Sequence, residues 1–176
     1  KIKGGDETFA GRLMGTPFAK TRKARLDNLE IGGAVTFSSV SDESVLPNGL
    51  RGRTVMSQFT FYEPVFVKGT RTRLEADLDW NTGPFNARAE YLWMSDQRKN
   101  QGFGDEDLPD ARATAWFVSG AWVVTGDQKQ RPMEPRRPLF RGGAGAVEVA
   151  ARYERLGYGG VPGDEEPFRN PRAVTI

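Results

Sequence analysis

The chain has 176 residues, with 25 Lys and Arg against 23 Asp and Glu, for a formal net charge of +2. A charge so near zero argues against a nucleic-acid-binding protein with one dominant basic face. The sequence contains no Cys and no His. Their absence excludes disulfides, Cys or His metal sites, catalytic triads and any imidazole general base. Carboxylate-pair catalysis and oxygen-ligand metal sites remain open on composition alone.

Hydrophobicity alternates with a period of two along much of the chain, which is typical of β-strands with two different faces. In chain order, the first segments with this pattern are residues 8–18 and 29–37. The clearest pattern covers residues 71–80 and 85–94, where apolar side chains alternate with charged or polar ones. Residues 81–84, Asn-Thr-Gly-Pro, have the composition of a tight turn. The two segments are therefore predicted to form a β-hairpin.

Two further segments, residues 116–125 and 146–154, show the same alternation, with weaker contrast in the first. Another strand is expected to begin at Arg172. No segment shows the period of an amphipathic helix, and the longest apolar runs have four residues, whereas a membrane-spanning helix needs roughly 20. The sequence predicts an all-β, antiparallel protein with about six to seven strands.

The connections between these segments differ in length. Residues 19–27 and 81–84 are short connections, and residues 126–143 are long although they fall at the end where short turns are expected. Short turns at one end and long polar loops at the other are typical of outer-membrane β-barrels. The long connections expected at the second end are residues 41–69, 95–112 and 157–170.

The alternation defines two faces but leaves open which of them is buried. A soluble sandwich or barrel would bury the apolar face, whereas a transmembrane barrel turns it to lipid and turns the charges to a wet lumen. Strands of ten residues favour the membrane alternative, because a spanning strand needs roughly 9–11, and so do aromatic residues at both ends of the apolar stripes. The residues predicted to face lipid are Leu74, Leu78, Trp80, Phe85, Tyr91, Trp93, Trp116, Trp122, Val147 and Val149.

Charges of both signs are expected to pair across the predicted hairpin. If Trp80 lies opposite Phe85, then Asp77 lies opposite Arg88. Opposite charges that face each other on neighbouring strands stabilise the pair. Such pairs suit a wet wall, where charges are solvated and partly compensated.

In chain order, the sequence contains GRLMGTPF at residues 11–18, RTRLEADLDW at 71–80, GPF at 83–85, RAEY at 88–91, VSGAWVVTG at 118–126 and GAGAVEVAARYER at 143–155. In this order and spacing, the segments resemble the phosphate-selective porin O and P family. The resemblance covers about residues 8–156.

The resemblance implies a 16-stranded, antiparallel transmembrane β-barrel in the outer membrane of a Gram-negative bacterium. It also implies a homotrimer that conducts inorganic anions such as phosphate or polyphosphate. The 176 residues are too few for sixteen strands of roughly 10 residues with their loops, and the chain stops at Ile176 without the terminal aromatic residue of such barrels. Residues 1–176 are therefore expected to be a partial segment of one barrel domain.

Arginine outnumbers lysine 18 to 7, and a guanidinium group binds phosphate and stays charged at any relevant pH. A GC-rich genome would also enrich arginine without any function. Carboxylates such as Glu75, Asp77 and Asp79 lie on the same charged face as the arginines and weaken anion selectivity. The interleaved arginines in turn argue against a calcium site or a glycosidase carboxylate pair at these positions. The residues predicted to guide anions in the lumen are Arg71, Arg73, Arg88 and Arg152, with Arg12 as a further candidate.

We predict a passive, anion-preferring diffusion channel that is not an enzyme. Its partners are inorganic anions, outer-membrane lipid and further copies of the chain, with no nucleic acid, cofactor or metal. The alternative is a soluble all-β carbohydrate- or ligand-binding module, which would fold without detergent and use Trp side chains as sugar platforms. A plugged barrel without selective flux is a third possibility. The basic, proline-rich residues 131–141 are predicted to form a stiff, solvated connector, with an anion-collecting segment as the alternative.

Overall fold

The computed structural model describes residues 7–20, 25–41, 49–53, 59–62, 64–129, 134–159 and 172–175. The strands in chain order are β1 (Thr8–Gly15), β2 (Leu29–Val40), β3 (Gly52–Arg53), β4 (Thr60–Tyr62), β5 (Gly69–Thr82), β6 (Phe85–Arg98), β7 (Leu108–Val123), β8 (Glu148–Gly159) and β9 (Arg172–Thr175). The prediction of an all-β, antiparallel protein is confirmed. In the described part of the chain, no helix is long and apolar enough to cross a membrane.

Seven strands form one sheet in the order β1-β2-β5-β6-β7-β8-β9, and β3 pairs separately with β4. Every pair in the large sheet is antiparallel. Strands β1 and β9 are its two edges, so the sheet is open. An open, up-and-down antiparallel sheet is the arrangement expected of a segment of a β-barrel wall.

The predicted hairpin is present as β5 and β6, but its register differs from the prediction. The turn is confined to Gly83 and Pro84, so Thr82, rather than Trp80, lies opposite Phe85. Gly83 has a φ of +53°, a left-handed conformation that glycine adopts without steric cost. A two-residue turn joins the strands tightly, and two residues predicted as turn therefore remain in β5.

The shifted register changes the charge pairs across the hairpin. Arg88 lies opposite Asp79 and not Asp77, so the predicted pairing was wrong. The register is supported by Asn81 and Asn86, which lie opposite each other next to the turn. The amide of Asn86 donates hydrogen bonds to the side-chain oxygens of Asn81 at 2.9 Å and of Asp79 at 3.2 Å. Asn81 is thus bonded within the ladder, which keeps it in the strand.

Strands β6 and β7 continue into the segment that the sequence predicts as a loop, residues 95–112. Their ladder reaches the pair of Arg98 and Leu108, with one irregularity after Asp96. The charged residues fit a strand here because Asp96 is fully buried and ion-paired with Arg71. The connection is limited to residues 99–107, and the prediction of a long loop was wrong.

The predicted alternation of connection lengths holds only in part. Residues 124–147 form a long connection at the same end of the sheet as the turn of the β5–β6 hairpin, as parity predicts. At the other end, the connection 99–107 is shorter than the connection 16–28 between β1 and β2. The predicted connection 157–170 begins later, since β8 continues to Gly159, and residues 160–171 lie outside the described part of the chain.

The register divides the large sheet into an apolar face and a charged face, as the period of two predicts. The predicted lipid-facing residues that lie in strands all share the apolar face. Large side chains such as those of Phe9, Leu13 and Val149 are exposed on it. The buried hydrophobic side chains of the described strands lie instead on the charged face; they are Val40, Met94, Ala111, Ala113, Val123 and Tyr158.

Part of the connection between β2 and β5 packs against the charged face and explains the burial of Met94, Ala113 and Tyr158. We call residues 49–50 and 64–68 the covering segment. Its two parts are joined by a hydrogen bond from the amide of Gly49 to the carbonyl of Val65, at 2.9 Å. Arg98 of β6 donates from Nε to the carbonyl of Phe66 at 3.3 Å. The covering segment also completes a hydrophobic cluster that consists of Leu50, Met94, Ala113, Leu156 and Tyr158.

Candidate functional site

The candidate site is the charged face of the sheet, where the predicted anion-guiding arginines lie. Arg71 and Arg73 of β5, Arg88 of β6 and Arg152 of β8 all belong to this face. Arg88 and Arg152 flank Ser119 in one row across the sheet. In β5 this row contains Asp79, and Arg73 lies six residues before Asp79, which corresponds to about 20 Å of strand. The structure therefore brings the four arginines to one face but separates them into two groups.

Arg12 of β1 reaches across β2 to two carboxylates of β5. Its guanidinium nitrogens lie 3.1 Å from Oε1 of Glu75 and 2.5 Å from Oδ1 of Asp77. This contact requires small residues on β2, where Gly32 and Ala34 are the register partners of these carboxylates. A Cβ atom at Gly32 would lie only 2.5 Å from Oδ2 of Asp77. Among the described residues, no group of three acidic side chains is arranged to hold a metal ion.

Arg88 and Arg152 are both held by carboxylates. Nε of Arg88 lies 2.9 Å from Oδ2 of Asp79, and Nε of Arg152 lies 2.7 Å from Oε2 of Glu154. The guanidinium of Arg152 also stacks 3.7 Å above the ring centroid of Phe117, a cation–π contact. Each pair is close to neutral, so neither arginine offers a full positive charge to an ion in solution.

Arg71 forms the most enclosed ion pair of the site. Its Nε and Nη2 atoms lie 2.9 Å and 3.1 Å from the two carboxylate oxygens of Asp96. The side chain of Asp96 is 0% exposed and that of Arg71 is 17% exposed. A two-pronged, largely buried pair of this kind is geometrically fixed.

Arg73 differs from the other three candidates because it forms no ion pair with a described residue. Its side chain is exposed, and its register partner on β6 is Met94. Met94 packs in the hydrophobic cluster beneath Leu50. Arg73 therefore presents a free guanidinium at the edge of the covering segment.

Sequence reasoning missed Arg98, which lies in a polar stretch that reads as a loop. Arg98 is 7% exposed, and its Nη1 atom is buried without a hydrogen-bond partner in the described structure. Its burial comes from the covering segment, which the strand pattern does not reveal. The end of the charged face that holds Arg73 thus carries a second cation without a carboxylate partner among the described residues.

The sheet has one charged face and one exposed apolar face, an arrangement that suits a membrane channel. A comparison with protein families shows to which family the chain belongs. Residues 56–160, more than half of the chain, match the phosphate-selective porin O and P family. The chain belongs to this family. The comparison with curated proteins found no match, and neither did the comparison with solved structures.

The porin family match confirms the resemblance seen in the sequence. It includes β5, β6, β7 and β8 and all four predicted anion-guiding arginines. Porins are channels, so membership supports a porin-type channel rather than an enzyme.

At the opposite end of the porin sheet, a buried carboxylate shapes the connection between β7 and β8. Asp127 is 3% exposed and accepts hydrogen bonds from the amide of Arg136 at 2.9 Å and from the hydroxyl of Thr125 at 2.7 Å. These hydrogen bonds hold the pKa of Asp127 below its ordinary value, and the bond from the backbone amide has the larger effect. The described residues of this connection are otherwise largely exposed, which fits the predicted connector.

Acid is expected to loosen this connection. Because the pKa of Asp127 is lowered on folding, the ionised carboxylate stabilises the folded connection above the unfolded pKa of about 3.9, and this stabilisation is lost as the pH falls towards the folded pKa. Hydrogen exchange at the Arg136 amide, corrected for its intrinsic rate, should accelerate in that window. Asp127→Asn should remove this pH dependence, and an identical acid response in both proteins would contradict the assignment.

Proposed function

We propose that the chain forms part of the wall of a passive, anion-preferring diffusion channel in the outer membrane of a Gram-negative bacterium. Family membership supports the channel, and the free guanidinium of Arg73 is the observation that carries the anion preference. No bond is made or broken. Anions are attracted into a wet lumen and leave again because each cationic site holds them weakly.

The distribution of burial supports a lumen on the charged side. A soluble sandwich buries its apolar face, yet the buried hydrophobic residues of the described strands lie on the charged face, and Phe9 and Leu13 remain exposed on the apolar one. Lipid would cover these exposed side chains in a barrel wall. The covering segment then lies on the lumen side and narrows the pore beside Arg73.

The ion pairs explain why Arg73 should dominate selectivity in this wall. Arg12, Arg71, Arg88 and Arg152 each lie within 3.1 Å of a carboxylate oxygen. Their charges largely cancel at the distance of a passing ion. Glu90, on the same face, forms no ion pair with a described residue and opposes the attraction of anions. Arg98 also lacks a carboxylate partner among the described residues, but it is buried at 7% exposure. The exposed Arg73 is therefore expected to set the sign of selectivity close to the covering segment.

Arg73→Gln should lower the ratio of anion to cation permeability about threefold. A monovalent anion about 7 Å from one guanidinium gains roughly 0.6 kcal/mol in water, and salt at about 0.1 M screens this to roughly 0.3 kcal/mol. A cation is repelled by the same amount, so the ratio changes about threefold. The measurement is the reversal potential of the purified channel in planar bilayers under a KCl gradient. Arg73→Lys should keep most of the selectivity, and Glu90→Gln should increase it.

The matched control removes a compensated pair. The double variant Arg88→Gln/Asp79→Asn leaves the net charge unchanged, so its reversal potential should equal that of the unmodified channel. An unchanged potential in Arg73→Gln, or an equal drop in the double variant, would refute the role of Arg73. A protein that inserts but conducts nothing would favour the plugged barrel.

The soluble carbohydrate-binding module remains the second candidate because Trp122 is exposed. Its ring stacks on Phe85, with centroids 6.1 Å apart and planes 17° apart, and exposed aromatic rings bind sugars. Circular dichroism and sedimentation in buffer and in detergent micelles separate the two candidates. Aggregation in buffer with β-structure in micelles supports the porin, whereas a monodisperse β-protein in buffer supports the soluble module.

The remaining parts of the proposal come from the family. They are a preference for phosphate, assembly as a homotrimer and a single partial barrel domain over residues 1–176. Competition between phosphate and chloride currents tests the first. Light scattering of the detergent-solubilised channel tests the second.

A further inference from the structure

Two arginines interrupt the apolar face of the sheet. Arg112 of β7 lies opposite Gly159, and Arg155 of β8 lies opposite Trp116. In strands β1, β2 and β5 to β8 they are the only cationic residues on this face, and in β9 Arg172 is the register partner of Arg155. An arginine that faces lipid costs about 2–4 kcal/mol at the bilayer midplane but only about 0–1 kcal/mol near the interface. Their position along the strands therefore decides whether they are tolerable.

Both arginines lie at an aromatic end of the face. Trp116, the register partner of Arg155, packs against Tyr153 with ring centroids 5.4 Å apart. Tyr91 and Trp93 continue the aromatic band on β6. Aromatic bands mark the level of lipid headgroups in membrane proteins. Arg155 thus lies at the headgroup level, where phosphate groups are found.

The surface between the two arginines is flat and carries little competing charge. Thr114 and Gly157 lie opposite each other between them. Arg155 forms no ion pair with a described residue, and the side chain of Arg112, 65% exposed, has its carboxylate neighbour Asp110 at 3.9 Å. Arg112 lies four residues before Trp116, the register partner of Arg155, and four residues of strand correspond to about 14 Å. Both guanidinium groups are therefore within reach of one large headgroup.

An apolar groove begins at Trp116, the register partner of Arg155. It has a volume of about 490 Å³ and crosses β2, β5, β6 and β7. Ala76 and Ala89 lie between the larger side chains, so the groove is a shallow, apolar depression against which an acyl chain can lie. Its side chains on the apolar face are Ile31, Ala76, Leu78, Ala89, Tyr91, Trp116 and Val118.

We propose that Arg112 and Arg155 bind the phosphate groups of an anionic lipid whose acyl chain lies in this groove. The guanidinium groups supply charge-assisted hydrogen bonds to phosphate, and the groove accounts for a lipid rather than a free ion. The inference rests on the outward direction of the apolar face in the proposed function.

The test compares lipid binding by native mass spectrometry of the protein in detergent micelles, with diphosphoryl lipid A as the probe and phosphatidylcholine as the zwitterionic reference. Arg112→Gln/Arg155→Gln should bind lipid A about tenfold more weakly, and Arg112→Lys/Arg155→Lys should retain part of the affinity. Arg137→Gln/Arg141→Gln removes two exposed charges at the other end of the sheet and should change nothing. If Arg112→Gln/Arg155→Gln binds lipid A as tightly as the unmodified protein does, or if inorganic phosphate displaces lipid A, the proposed lipid site is wrong.

The reversal potential of the same variant separates this inference from the proposed function. Arginines outside the pore leave ion selectivity unchanged, so weaker lipid A binding with unchanged selectivity supports the lipid site. Unchanged binding with unchanged selectivity overturns the lipid site alone. A loss of selectivity would place these arginines in the lumen and would overturn both proposals.

Discussion

Leu78→Arg should destabilise the protein in a lipid bilayer by about 2–4 kcal/mol, whereas Glu90→Arg should cost little. Leu78 lies opposite Ala89 on the apolar face, and Glu90 lies opposite Asp77 on the charged face, in the adjacent row of the same hairpin. The two substitutions thus place the same side chain at nearly the same depth on opposite faces. In the second case the new guanidinium lies opposite a carboxylate, which favours it.

The measurement is urea-induced unfolding from phosphatidylcholine vesicles, followed by tryptophan fluorescence. Leu78→Ala serves as the control for the lost leucine side chain and should cost less than Leu78→Arg. If the two arginine variants are equally destabilised, or if only Glu90→Arg is, the apolar face does not contact lipid. The result therefore tests the facing of the sheet independently of ion conduction.

Asp96→Ala should lower the free energy of unfolding by about 3–5 kcal/mol, because it leaves a largely buried guanidinium without its carboxylate. The Asp96 side chain is 0% exposed and binds Arg71 through both oxygens. Glu154→Ala provides the matched comparison, since its pair with Arg152 is open to water at 39% and 42% exposure. An exposed pair contributes about 0–1 kcal/mol.

The same urea unfolding experiment distinguishes the two pairs. The double variant Arg71→Met/Asp96→Leu should recover much of the loss, because it removes both charges from a buried position. Similar losses in Asp96→Ala and Glu154→Ala would mean that the pair at Asp96 is hydrated and contradict its burial. No recovery in the double variant would indicate that Arg71 has a further role in the sheet.

The strands and their two faces were predictable because alternation is a local property of an extended chain. Successive side chains point to opposite sides of a strand, so the stripe from Leu74 to Trp80 assigns a face without knowledge of any neighbour. The hairpin followed from the same pattern and from Gly83 and Pro84. The loop predicted at residues 95–112 failed because charges such as Asp96 look solvated in sequence, although this one is paired and buried.

The candidate site was predictable only as a set of residues on one face. Arg71, Arg73, Arg88 and Arg152 fall on the charged face by parity alone. Whether each arginine is paired depends on where carboxylates lie in the folded sheet. Arg71 and Arg88 pair with carboxylates of a neighbouring strand, and the partners of Arg12 lie two strands away. Arg152 pairs within its own strand, with Glu154. Nothing in the local pattern distinguishes Arg73 from the other candidates.

The sequence by itself determined that this protein is an antiparallel sheet with one apolar and one charged face, and it carried the family resemblance. The tertiary structure decided the register at Gly83, the ion pairs that neutralise most of the arginines, and the packing of the covering segment over Met94. The physical reason is the range of the interactions. Alternation needs only one strand, whereas register, ion pairing and burial depend on residues far apart in sequence that meet only in the folded sheet.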